Sequence, residues 1–406
     1  MKDLKKVKNC RICFNKDLLE IYDFGKVFLS GNITSKPKKE KKYKLNLLLC
    51  KNCKHIQIGH TISPNIMFKN YLWETGVSKT NIILIKNLLH KLKKKYQLNS
   101  KKKLFEIATN DGTLLKITKT KYRSFVSGID PAKNLAKKNK KFNVITNYFD
   151  SSATKEIRKK YGLFDFIIAR NVLAHVPKPN EIFSNANALL NKTGIFVIEV
   201  PSLKTIFEEN QYDNIFHEHI GFHSLNSINL LCNQNEMKII DFEEIDSQGK
   251  SIRCYIAKKF NPIKISKKIN LFLKKEYFLQ KLNTWKKFKK KINTHKKKLH
   301  KLILNIKNND QSISAYGASG KGQSLIQISE TGKYLDYIYD KSELKNNKFS
   351  PGYNIKILNP VKINKLKADY LLLLTWNIKN EILRQENKFK ESGGKFIIPF
   401  PEPHII

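Results

Sequence analysis

Arginine is scarce in this 406-residue chain. Only Arg11, Arg123, Arg158, Arg170, Arg253 and Arg384 stand among its 77 basic residues, although 34 acidic residues leave a formal net charge of +43. Proteins that read bases or clamp phosphates lean on arginine's bidentate fork. Lysine spread along the whole chain instead predicts general attraction to anions and no specific nucleic-acid partner. Long apolar runs are also missing: no stretch of 18 residues could span a bilayer. The opening MKDLKKVKNCRIC has no apolar core of a secretory signal, so a cytoplasmic, thiol-reducing setting is expected. Neither GxGxxG nor the GK[ST] of a P-loop occurs at the strand-to-helix loops. The length suggests two or three domains.

Cysteine is the next informative residue. Four of the six lie in the first 53 positions, as Cys10-x-x-Cys13 and Cys50-x-x-Cys53. Two such knuckles brought together supply four thiolates, the donor set of a structural Zn²⁺ site. Four thiolates leave no open coordination position, so the metal implies nothing about catalysis. Unrelated buried cysteines or a redox pair are the other readings. Further on, Tyr71 and Trp73 read most simply as aromatics packing two domains together.

The chain then becomes strand–helix alternating. Leu104 to Leu115 (LFEIATNDGTLL) reads as a buried strand, a tight loop and a helix start at Thr113. A glycine-containing loop running into a helix suits a ligand that needs close backbone approach and N–H donors. Glu106 ends that strand, and Asp130 ends the next apolar strand about 20 residues on, where a ribose-binding carboxylate belongs. A helix over 131–140 is expected, opened by Pro131. Further strands are expected at 144–145, 164–169 and 194–200, giving a parallel α/β sheet. Its ligand crevice lies beyond the strand carboxyl ends, among Glu106, Asp130, His175, Glu199 and the loops after them.

After Glu199 comes the polar cluster Gln211 to Ser224, with His217, Glu218, His219 and His223. HEH lacks the HExxH spacing of a zinc site, but histidine beside a carboxylate suits proton transfer near neutrality. A solvated turn is the plainer alternative. A loop and strand follow over 247–255. The lysine-dense stretch 264–308 predicts a long amphipathic connector, broken near Asn293-Thr294, with its charge on a solvated face. A second strand, glycine-rich loop and helix start at Ile313 (ISAYGASGKG). An acid-ended strand at 337–340 and apolar strands at 368–376 and 395–399 complete it.

Taken in order, these blocks resemble the S-adenosylmethionine (SAM)-dependent sugar C-methyltransferases. The resemblance runs from Cys10-x-x-Cys13 through Asn110-Asp111-Gly112, His217-Glu218-His219 and Tyr316-Gly317-Ala318-Ser319-Gly320-Lys321-Gly322 to Pro399-Phe400-Pro401-Glu402-Pro403. It implies an α/β chain with a zinc-binding domain (1–68), a class I methyltransferase Rossmann-like domain (69–258), and a helical connector with a second Rossmann-like domain (259–406). It also implies methylation at C3 of a nucleotide-linked 4-keto-deoxysugar through an enolate. His219 would be the base, with Glu218, His175 and Tyr71 beside it. SAM would lie against Glu106, Ala108, Asn110, Asp111, Gly112, Asp130 and Asn171. Arg253, Ser251, Tyr316, Ser319 and Lys321 would face the sugar or its diphosphate, and Cys10, Cys13, Cys50 and Cys53 would bind zinc.

Three departures from that family pattern involve four positions. Ala108 stands for a glycine of the SAM loop, Phe216 for a tyrosine, and Gln248 and Lys250 for part of a His-Gly-Gly-Ser loop. Two other readings stay open on the sequence: O-methylation of a sugar or other small molecule, and a zinc-containing binding protein without catalysis.

Overall fold

The computed structural model describes residues 4–67 and 71–406; the expected domain boundary between Phe68 and Lys69 lies outside them. The four-cysteine region is built on a four-stranded antiparallel sheet. Its order is Gly221–Phe222, Ile56–Ile58, Tyr43–Cys50 and Leu18–Val27. The first of these strands comes from the histidine cluster, far along the chain, so the zinc region and that cluster share one sheet.

The central sheet has seven strands. In spatial order they are Met237–Ile245, Ser251–Lys258, Leu190–Pro201, Phe164–Arg170, Lys103–Ile107, Phe125–Ile129 and Val144–Ile145. The last five run parallel and Ser251–Lys258 is antiparallel to both its neighbours. Chain order reverses between Lys103–Ile107 and Phe164–Arg170, which is where an open α/β sheet forms its ligand crevice. The face bearing Phe105, Ile107, Ile167 and Ile198 packs in one cluster with Ile182, Phe183 and Leu231. The opposite face, with Leu104, Phe166, Ile168 and Val197, is covered by Ile85, Leu88, Leu89 and Leu92 of the helix Lys79–Tyr96.

A helix over 131–140 does not form. α-Helical backbone is confined to Ala136–Asn139 and passes into a 3-10 turn at Lys140–Phe142, because the Asp130 side chain takes the backbone earlier. Asp130 accepts from the Ala132 N–H at 2.8 Å, and Asn134 bonds both the N–H and the carbonyl of Tyr71. The connector also breaks elsewhere than expected. It is interrupted at Tyr277–Gln280, and one helix then runs unbroken from Leu282 to Asn308. Trp285, Phe288, Ile292, His295, Leu299, Ile303 and Ile306 recur every three or four residues and keep one buried stripe through Asn293. Asn293 itself accepts from the Tyr22 hydroxyl of the N-terminal sheet at 2.6 Å.

The C-terminal sheet has the order Lys356–Leu358, Tyr337–Tyr339, Ile313–Tyr316, Tyr370–Leu373, Lys395–Ile398 and His404–Ile405, with only the last strand antiparallel. Two Rossmann-like sheets and an N-terminal metal region are thus the architecture. Among the described residues no helix is long and apolar enough to cross a membrane.

The four cysteine sulfurs lie within 4.8 Å of one another, with Cys10–Cys53 and Cys13–Cys50 both 3.5 Å apart. A tetrahedron with zinc–sulfur bonds of about 2.3 Å has edges of about 3.8 Å, so the donor set fits structural zinc. Because the zinc sheet ends on Gly221–Phe222, Cys50→Ser is expected to lose bound zinc and most methyl transfer together. Metal analysis and turnover on the same preparation check this. Full activity in a zinc-free variant would contradict it.

Candidate active site

The loop after Lys103–Ile107 folds as a succession of left-handed residues: Ala108 at φ +59°, Asn110 at +54° and Gly112 at +75°. Gly112 is required twice over, since a Cβ there would lie 2.4 Å from Asn139 Oδ1. The acids of the two strand ends differ in their partners. Asp130 accepts from the N–H groups of Asn110 (2.7 Å) and Ala132 (2.8 Å), which ties the loop to the second strand. Burial raises its carboxyl above the usual range. Glu106 is sealed below the loop and pushed well up by burial, with the Arg170 charge opposing. Its Oε2, Thr109 Oγ1 and Asn171 Oδ1 are buried and have no protein partner. Unsatisfied polar atoms converging at strand ends, beside a left-handed loop entering a helix, fit an amino-acid-bearing nucleoside such as SAM.

Asn110 and Asp111 act outward as well. Asn110 Oδ1 accepts from Thr75 N (2.8 Å) while its Nδ2 donates to Trp73 O (2.9 Å). Asp111 accepts from Gly76 N at 2.7 Å and from the Thr113 hydroxyl. The aromatic segment before the first long helix is therefore clipped onto the loop. Thr75 and Asn139 were not foreseen. Their only sequence signal is polarity, which does not say which loop they will meet.

The histidine cluster is a buried, irregular segment and not a solvated turn. His217 turns away toward the zinc sheet, bonded to the Lys44 carbonyl at 3.2 Å. Glu218 faces Gly31 of the zinc region, where any Cβ would come within 2.4 Å of its Oε1. Its carboxyl is pushed up to about 7 by burial, with the charge of Lys345 opposing. His219 bonds the Asn214 carbonyl through Nδ1 at 2.9 Å. A carbonyl only accepts, so Nδ1 carries the proton and the neutral ring keeps a lone pair on Nε2. Burial, then neighbouring His175 and Lys321, hold His219 well below its ordinary pKa. His175 meets it edge-on at 4.8 Å and is itself lowered to about 4 by burial. The Tyr71 hydroxyl is raised by burial, then by the charges of Glu218 and Asp130.

The expected sugar-side residues are taken by protein partners. Arg253, buried in the sheet, bonds Glu199 at 2.6 Å and Glu243 at 2.8 Å, so it holds strands together and does not reach the crevice. Glu199, expected in the crevice, is fully buried between Arg253 and Arg170. Burial would raise its carboxyl, but the two guanidiniums hold it below the usual range. Ser251 donates to Ser247 O at 2.9 Å, Tyr316 to Glu386 at 2.8 Å, and Ser319 caps its own helix. Lys321 donates to Gln248 O at 2.8 Å and lies 3.9 Å from buried Asp213, which accepts from Trp376 Nε1 at 2.8 Å. Lys321 thus joins the two Rossmann-like sheets through the 247–250 loop. In the C-terminal loop, Asp340 accepts from Ala318 N (2.7 Å) and Ser342 N (2.8 Å), as Asp130 does in the first. There, however, Lys345 also donates to Asp340 and to Ala318 O.

Comparison with known proteins bears on what this arrangement is. Three family models tile the chain: a zinc binding domain over residues 10–68, a methyltransferase domain over 82–241 and a C-methyltransferase C-terminal domain over 246–401. The chain is a SAM-dependent methyltransferase, similar along its length to the C-methyltransferases. C-methyltransferase NovU of Streptomyces niveus is 28% identical over 415 residues, covering 100% of this chain and 99% of that protein. Among solved structures, the magnesium protoporphyrin IX methyltransferase of Synechocystis with bound SAM covers 44% of this methyltransferase and 79% of that chain, at 12% identity and TM-score 0.34. A SAM-dependent methyltransferase of Anabaena variabilis covers 43% and 85%, at 16% identity and TM-score 0.35. The methyltransferase therefore takes SAM in the class I site and structural zinc at its four cysteines.

Two expectations follow. Ala108 holds a left-handed backbone that favours glycine by about 1 kcal/mol. Ala108→Gly should raise the thermal midpoint slightly and tighten SAM binding; lower values of both would show the methyl group is needed for packing. Glu218 keeps its proton in the folded methyltransferase up to pH about 7, whereas the unfolded carboxyl loses it near 4.5. Folding therefore binds a proton between these values, and stability falls as pH rises through 7. Relative to Glu218→Gln, the ligand-free wild type should lose roughly 2–3 kcal/mol between pH 5 and 8 in denaturant unfolding. Parallel pH profiles would refute a buried, protonated Glu218.

Proposed function

We propose that the methyltransferase acts at C3 of a nucleotide-linked 4-keto-deoxysugar, making a branched sugar for a surface polysaccharide or another glycosylated product. The observation that carries this reading is the His219 Nδ1–Asn214 O bond. It presents a neutral imidazole with a free Nε2 lone pair, edge-on to His175 and next in the chain to the buried Glu218. Such a base is suited to a carbon acid and cannot be lost to solvent protonation near neutrality.

The C3 hydrogen of a 4-keto sugar is acidified by the adjacent carbonyl. His219 Nε2 removes it, and the electron pair moves into the C3–C4 bond as the C4 oxygen gains charge. Tyr71 or His175 donates to that oxygen, the stabilisation an enolate requires. SAM supplies an electrophilic methyl group on a sulfonium. C3 forms the new C–C bond as the methyl–sulfur bond breaks, leaving S-adenosylhomocysteine. The proton on His219 then returns to solvent. Glu106, Ala108, Asn110, Asp111, Gly112, Asp130 and Asn171 form the SAM side of this site. The C-terminal domain closes the sugar side through Lys321 and Gln248, with Phe216 packed beneath Gly320 and against His219 at 4.3 Å. The segments 1–68, 69–258 and 259–406 are taken as the three domains, working in the cytoplasm on a small-molecule substrate.

The test is exchange of the C3 hydrogen in deuterated water, followed by NMR on thymidine- and guanosine-diphosphate 4-keto-deoxysugars without SAM. Exchange by the wild type, reduced at least 100-fold in His219→Ala, is expected for loss of a general base. Methylation of a sugar hydroxyl without any exchange would replace this reading with O-methylation.

A further inference from the structure

Five side chains of alternating charge form a row along one face of the central sheet. Glu106, Arg170, Glu199, Arg253 and Glu243 come from five adjacent strands. Glu199 is directly opposite Arg170 on one side and Arg253 on the other, and Arg253 is opposite Glu243. The pairs are bonded in sequence: Arg170 Nε to Glu199 at 2.8 Å, Arg253 Nε to Glu199 at 2.6 Å, and Arg253 Nη1 to Glu243 at 2.8 Å. Glu106 lies opposite Ile168 in the parallel pair. Strand alternation therefore puts Glu106 and Arg170 on the same face as diagonal neighbours.

The row breaks off at this end. Arg170 is spent at Nε only; among the described residues its two terminal nitrogens make no protein hydrogen bond. Glu106 Oε2 is buried without a partner. At the far end Lys91 also donates to Glu243 at 2.8 Å, so every cation of the row is bonded to Glu199 or Glu243 and none to Glu106. At the mouth of the SAM loop there is thus a fixed donor fork beside an unsatisfied acceptor, both with their side chains more than nine-tenths buried. A zwitterion complements that pair: its anion meets the guanidinium in the planar, two-bond mode and its cation meets the carboxyl.

We propose that Arg170 is the receptor for the α-carboxylate of SAM, with Glu106 taking the adjacent α-ammonium. Glu199 is a positioning residue here, since its bond to Nε fixes the plane of the guanidinium and turns its outer edge to the crevice. The row then continues into the ligand, whose amino-acid end supplies the missing hydrogen-bond partners.

S-adenosylhomocysteine and its decarboxylated analogue, titrated by calorimetry into the full zinc-loaded chain, test this without turnover. The wild type should bind S-adenosylhomocysteine at least about tenfold more tightly than the analogue, the scale of a charged hydrogen-bonded pair. Arg170→Gln should erase that preference by weakening S-adenosylhomocysteine alone, leaving the analogue within about threefold. Arg170→Lys keeps a cation beside Glu199 and should fall between, so the comparison holds if the glutamine variant misfolds. A wild type that binds both ligands equally overturns the proposal. So does a preference that survives in both variants, or a loss shared equally by both ligands, which would mark Arg170 as a partner of Glu199 and nothing more.

Discussion

Glu199 is the point on which the central sheet turns. A carboxylate with no solvent exposure is costly to place, and two guanidiniums are needed to keep it charged. One of them stands at the end of a parallel strand and the other on the antiparallel strand, so a single acid binds the two halves of the sheet in register. Removing either arginine would leave an unbalanced charge in the interior, a loss of several kcal/mol. The Glu199 carbonyl also accepts from the Asn171 N–H at 2.9 Å. The chain consequently leaves the strand at a fixed angle, and the turn at Leu173–His175 that carries His175 follows from it. Rigidity at one buried acid is transmitted in this way to His175, which packs edge-on against His219.

The histidine segment 211–224 has almost no regular structure of its own, and it is held from three sides. The zinc sheet takes its edge strand Gly221–Phe222 and the ring of His217. The turn at Leu173–His175 receives the Ile220 N–H on the Ala174 carbonyl at 2.7 Å. The C-terminal sheet reaches it through Trp376 on Asp213 and Ser324 on the Ile215 carbonyl at 3.0 Å. A buried loop must satisfy its backbone somewhere, and here each unit supplies part of that requirement. A closed, four-thiolate metal site can therefore matter to chemistry it never touches.

What could be read in the sequence was whatever is fixed by short-range geometry. Two CxxC knuckles, a strand–loop–helix with acids at successive strand ends, and histidine beside glutamate each declare themselves within a few residues. The zinc cluster and both Rossmann-like sheets accordingly stood where their motifs indicated. Partners could not be read. Arg253 and Lys321 looked like ligands because a basic residue near a crevice is ambiguous until strand pairing shows which acid or carbonyl it meets. The connector's break was misplaced for a related reason. Asn293 and Thr294 are weak helix formers, yet the apolar stripe passes through them and Tyr22 binds Asn293, so tertiary contact overrides propensity. The shortened helix after Pro131 shows the reverse, with Asp130 drawing the backbone into a turn.

The departures from the family pattern gain a common physical meaning from the backbone. Ala108 lies at φ +59°, Gln248 at +54° and Lys250 at +77°, all in the region that glycine occupies most easily. Each non-glycine residue there adds strain, so the turn is set by contacts stronger than the preference of the residue within it. At Ala108 that contact is its N–H on the Ile129 carbonyl at 2.8 Å. At 248–250 it is Lys321 on the Gln248 carbonyl and the Lys250–Glu209 ion pair, both at 2.8 Å. The first strained turn borders SAM and the second borders the seam between the Rossmann-like sheets. Strain that survives only where surrounding structure over-determines it points to shapes that ligand placement requires. By that argument both turns are held by the contacts around them and not by the residues at their tips.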